Sequence, residues 1–128
     1  FVSAIVIQTI AFTNVARGTS SHVNEPRQVV VRTEADWQAF WKTHSSEPAP
    51  KVDFGKSIVV GVFLGTRPTA GYTVAITAVR RTADGAVVEY TEGKPTTSRM
   101  SAQVLTSPFI LIAIPRDVQK IEFTSKTP

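Results

Sequence analysis

The stretch Ser57–Leu64 reads SIVVGVFL, apolar after its serine apart from one glycine. Its β-branched residues favour extended backbone. A strand with one wet face alternates apolar and polar residues, whereas an unbroken apolar run needs cover on both faces. The chain must therefore fold so that other layers pack on both sides of this strand, which is predicted to be central.

The rest of the sequence supplies those layers. Ile5–Phe12 is rich in Ile, Val and Thr and is predicted to be a first strand, paired in its own subunit or in a neighbour. Arg17–Ser21 is predicted to be a turn. Gln28–Arg32 forms a short strand around Val29, Val30 and Val31. Thr33 is a helix N-cap candidate, with Asp36 three residues on as a weak capping-box partner. Trp37, Phe40, Trp41 and His44 fall at i, i+3, i+4 and i+7, which is one face of a helix. That aromatic face is read as packing on a sheet. His44 near the helix end would, as a cation, favour the helix dipole. Pro48 and Pro50 forbid continuation.

Beyond the central strand, Gly65–Gly71 is a loop and Tyr72–Arg80 alternates as a strand. Ala83-Asp84-Gly85 is a hairpin turn, with Asp-Gly pointing to positive φ. Ala86–Thr91 returns as the next strand, and Lys94–Thr106 reads as an exposed polar loop. Phe109–Ile114 and Val118–Phe123 are predicted as two strands around the Pro115-Arg116-Asp117 turn. The fold class is thus all-β or β-dominated (α+β). It has about seven mostly antiparallel strands in a sandwich or open barrel with one short helix, in a single domain over residues 1–128.

Composition narrows the chemistry. With 42% hydrophobic and 19% charged residues, the chain is not intrinsically disordered. Cysteine is absent, which removes disulfides, thiolate metal sites and a Cys nucleophile. His22 and His44 are the only histidines, too few for a multi-histidine metal centre. The net charge of +4 is spread from Arg17 to Lys126 without clustering, so a nucleic-acid partner is not expected. Phe1–Phe12 is too short for a membrane helix and lacks the basic start of a signal peptide. No Gly-x-Ser-x-Gly elbow or cofactor motif stands out, the carboxylates are dispersed, and no enzyme activity is expected.

The feature that rises above this background is the segment Gly65-Thr66-Arg67-Pro68-Thr69-Ala70-Gly71-Tyr72. Glycine at both ends permits sharp reversal, and Pro68 fixes φ. The predicted product is a stiff loop displaying Arg67 and Tyr72, residue types that anchor interfaces at low ordering cost. The candidate protein-binding residues are Thr66, Arg67, Pro68, Thr69, Gly71 and Tyr72, with Pro108 and Phe109 beside them.

WQAFWKTH (Trp37–His44), Val52-Asp53-Phe54, VVGVFLGTRPTAGYTVAI (Val59–Ile76), Pro95, Ser107-Pro108-Phe109 and the following IAIP together resemble the bacterial PrcB family, the C-terminal domain of protease-complex accessory subunits. The likeness covers residues 28–124, with LG-x-R-P-T-x-GY its most specific piece. Ala70 stands where members commonly have the first glycine of Gly-Gly-Tyr. The resemblance implies an extracytoplasmic (secreted, periplasmic or cell-surface), non-catalytic domain that partners a protein, with no cofactor. Arg-Pro-Thr-Ala-Gly-Tyr is also similar to the first loop of chagasin-type cysteine-protease inhibitors, which implies protease inhibition as an alternative. Asp84-Gly85 and Ser107-Pro108-Phe109 match the other two inhibitor loops poorly. A further alternative is a structural subunit of a surface assembly, built as a homo-oligomer by exchange of residues 1–14.

Overall fold

The computed structural model describes residues 8–68, 70–95 and 105–126. Its elements are β1 (Thr13–Gly18), β2 (Arg27–Val31), α1 (Glu34–His44), β3 (Ser57–Phe63), β4 (Thr73–Arg81), β5 (Gly85–Gly93), β6 (Phe109–Pro115) and β7 (Lys120–Ser125). They form two sheets, ordered β1-β6-β3-β2 and β4-β5-β7. All strand pairs are antiparallel except β5–β7. The described residues form a β-dominated fold with mostly antiparallel strands and one short helix, as predicted.

The apolar run of β3 sits between β2 and β6, and both of its faces are covered. Ile58, Val60 and Val62, with Ile110, Ile112 and Ile114 of β6, point toward the second sheet. There they meet Val74, Ile76, Val79, Ala86 and Val88. Val59, Phe63, Phe109 and Leu111 point the other way, against Trp37 and Trp41 of α1. Alternation along one strand thus sorts its side chains into two separate cores.

Helix α1 forms as its spacing predicts. The Thr33 hydroxyl accepts from the Asp36 N–H at 3.2 Å. Trp37, Trp41 and His44 are buried, and Phe40 is half-buried. The chain then doubles back to serve the buried indoles. Trp37 Nε1 donates to the Pro50 carbonyl and Trp41 Nε1 to that of Glu47, because a buried N–H without an acceptor is costly.

Several expectations need correction. Among the described residues the first named strand is Thr13–Gly18, beyond the expected Ile5–Phe12, and it takes in part of the expected Arg17–Ser21 turn. An edge strand needs little apolar content, which hid it. Of the expected strand, Gln8–Ile10 does pair, with β4 of the same chain. The Ile10 N–H meets the Val79 carbonyl at 2.7 Å, and the Arg81 N–H meets that of Gln8 at 2.8 Å. Residues 1–7 lie outside the described residues.

The last two strands are not a hairpin. β6 belongs to the four-stranded sheet, whereas β7 crosses over and pairs in parallel with β5. Arg32 pins this crossover by donating to the carbonyls of Val118 and Gln119. Among the described residues, positive φ occurs at Gly65 and Gly71 and not at Gly85. Gly85 is needed for a different reason. A Cβ there would stand 1.9 Å from the Lys120 carbonyl oxygen, where β7 lies against β5. The Lys94–Thr106 expectation falls largely on residues 96–104, outside the described residues.

Candidate functional site

The loop between β3 and β4 is fastened from several sides. Gly65, at φ +79°, turns over Pro26, where a Cβ would come within 2.7 Å of the proline nitrogen. The Thr66 N–H donates to the Asn24 carbonyl at 3.0 Å. Arg67 and Thr106 exchange both backbone hydrogen bonds, at 2.7 and 3.0 Å. Gly71, at φ +101°, packs on Pro95 so closely that a Cβ would meet the ring carbon at 2.7 Å. Both glycines are therefore demanded by backbone conformation and by close approach.

The Arg67 side chain turns inward rather than out. Its Nε and Nη2 both lie 3.0 Å from Glu92 Oε2 on β5. Its guanidinium also stands over the Tyr72 ring, 5.7 Å from the centroid. Both charged side chains of the pair are largely covered, at 24% and 20% exposure. Charge-assisted contacts of this kind are stronger than neutral ones, so Arg67 ties the loop to the second sheet. Thr66, Pro68 and Gly71 are exposed and Tyr72 is half-buried; Thr69 lies outside the described residues.

Pro108 and Phe109, expected beside the loop as contact residues, are corrected to the interior. Phe109 opens β6 and stacks 5.7 Å from Phe63. It is 8% exposed, and Pro108 is fully buried. The residue that does lie against the loop from this segment is Thr106. Sequence reasoning also missed Asn24 and Glu92. Asn24 and Arg67's partner Glu92 are far from the loop in sequence, and no spacing rule links them to it.

A second polar cluster lies behind the loop. His44, at the end of α1, is only 3% exposed. The Ser21 hydroxyl lies 2.7 Å from its Nδ1 and accepts the Val23 N–H at 3.0 Å. The Ser21 oxygen keeps a second lone pair, so the direction of its contact with Nδ1 is set by the imidazole's tautomer. Burial, aided by repulsion from His22, lowers the imidazole to about 4 from 6.5. His44 is therefore neutral at pH 7, so the favourable interaction a cation there would have with the helix dipole is not made. Both members of this Ser–His pair are buried, and Phe63 and Phe109 stand edge-on to the imidazole.

Among the described residues, no group of three or more His, Cys, Asp or Glu side chains is placed to hold a metal ion. None of their helices is long and apolar enough to cross a membrane.

No curated protein and no solved structure gives a match to this chain. A family model does match, over a narrower range than the 28–124 read from the sequence. Residues 58–115, from β3 through the fastened loop to the end of β6, match the family described as PrcB C-terminal, and this supports the resemblance that the segment carries.

Proposed function

We propose that this chain is a non-catalytic, extracytoplasmic protein-interaction module, accessory to a protease complex, that meets its partner through the Thr66–Tyr72 loop. One observation supports this reading above the others: the loop is held from β5, from Asn24–Pro26 and from Thr106 while Thr66 and Pro68 stay exposed. A loop fixed before binding loses little conformational freedom on contact. In this reading Arg67 keeps the shape, and Thr66, Pro68 and Tyr72 make the contact. The match to the PrcB C-terminal family supports a protein partner. An exchanged strand lacks comparable support, since Gln8–Ile10 and Thr13–Asn14 pair within their own chain.

The test is surface plasmon resonance of the immobilised domain against a panel of purified bacterial processing proteases and papain-like proteases. Binding to at least one member is expected. The Pro68→Ala/Tyr72→Ala variant should weaken it about tenfold or more while the domain stays folded, with only a few degrees lost from the thermal midpoint for the Arg67 contact with the Tyr72 ring. Equal binding by that variant removes the loop from the reading. No binding at micromolar concentration removes the protease. Blocked turnover in the same titration favours the inhibitor alternative.

A further inference from the structure

The chain between β1 and β2 runs from the buried Ser–His pair directly to the loop. The His22 N–H donates to the His44 carbonyl at 2.8 Å, so this strap is tied to the helix end by backbone as well as by the Ser21 hydroxyl. Two residues beyond His22, Asn24 accepts the Thr66 N–H, and Pro26 supports Gly65. On its other side the strap meets the segment that pairs with Arg67. The Ser21 N–H donates to the Ser107 carbonyl at 3.2 Å, and the Ser107 N–H donates to that of Thr19 at 2.8 Å. Thr106, next in line, exchanges its two bonds with Arg67. Both backbone holds on the start of the loop therefore pass through the Thr19–Pro26 strap.

We propose that the Ser21–His44 contact is an acid-sensitive latch that holds the Thr19–Pro26 strap, and through it the Gly65–Tyr72 loop, in place. The inference deepens the proposed function as a regulation of the same loop, and rests on that reading only for its biological consequence.

The chemistry lies in the charge that a proton would bring to the buried imidazole. In the tautomer that accepts at Nδ1, the proton also ends the hydrogen bond from Ser21 and leaves the hydroxyl hydrogen without its partner. The new charge would sit among Phe40 and Trp41 of α1, Phe63 of β3 and Phe109 of β6. The titratable neighbour acting on it is His22 on the strap, whose own charge repels it. Swinging the strap away gives the imidazole water, and this movement withdraws Asn24 from the loop and unties Ser107, the neighbour of the loop's partner Thr106.

Linkage sets the size of the effect. The closed imidazole titrates at about 4 and the opened one at 6.5. Opening is therefore unaffected above pH 7 and favoured below 6.5. Its equilibrium constant rises about 30-fold from pH 7.5 to pH 5.

Native-state amide hydrogen exchange by NMR, corrected for intrinsic rates, tests this on the isolated protein without any partner. The amides of Thr66, Arg67, Thr106 and Ser107 should open more often than those of Val60 and Ile112 in the sheet centre. Their opening should rise about 30-fold between pH 7.5 and pH 5. In His44→Asn, which keeps an acceptor near Nδ1 but takes up no proton, the pH dependence at these amides should vanish. Loop amides that are flat with pH, or that open only as often as Val60 and Ile112, overturn the latch. Should His44→Asn not fold, titration of the wild-type imidazole decides. A midpoint at or above 6.5 overturns the proposal, and one well below it with the loop amides responding supports it. A failed protease-binding experiment leaves these outcomes untouched, so the two readings fall separately.

Discussion

Arg67 shows how a residue that reads as a contact can serve the scaffold. Its guanidinium uses two nitrogens on one Glu92 oxygen and covers Tyr72. Lysine has neither the fork nor the flat face. Arg67→Lys is expected to lower stability by about 1 kcal/mol in urea unfolding, because the pair is only partly shielded from water. Gly85 makes a sharper case. Gly85→Ala places a methyl against the Lys120 backbone, not against a side chain that can turn away. Loss of about 3 kcal/mol or more is expected, with the β5–β7 pairing broken, as seen by denaturant unfolding and amide exchange in β7.

At the scale of elements, α1 is held to the sheet by its aromatic face. Trp37 is wholly buried and lies 5.3 Å from Trp41, centroid to centroid. Trp37→Ala is expected to cost about 3–5 kcal/mol, and Thr33→Ala about 1 kcal/mol by removing the N-cap, both read from chemical denaturation. This helix was legible in the sequence because its period and its cap are local. The β3 run was equally legible, since burial on two faces leaves no polar position. β1 was not legible, because TNVARG lies on a sheet edge and needs no apolar alternation. The partner of β7 was not legible either. Its alternation showed a strand, but the choice between β6 and β5 is made by long-range packing. The loop itself was plain from its Gly and Pro residues, whereas its fastenings to Asn24, Glu92 and Thr106 were not. Pro108 and Phe109 misled because proximity to the loop in space was read as exposure.

For the molecule as a whole, the neutral buried His44 makes stability depend on pH. The unfolded chain binds a proton at this residue below pH 6.5, while the folded chain does so only near 4. Its contribution is therefore complete above pH 6.5 and is lost as pH falls toward 4. Measured as the difference between wild-type and His44→Asn denaturation curves, this amounts to about 3 kcal/mol by pH 4. Parallel curves across that range would show that the imidazole is not desolvated.

The two-sided burial of β3 has one more consequence. Val59 and Val60 are joined by a single peptide bond, yet Val59 lies under the helix and Val60 lies between the sheets. Isotope-labelled methyl groups at these two positions would act as neighbouring sensors in separate compartments. Loosening of the helical layer would register at the first, and parting of the sheets at the second.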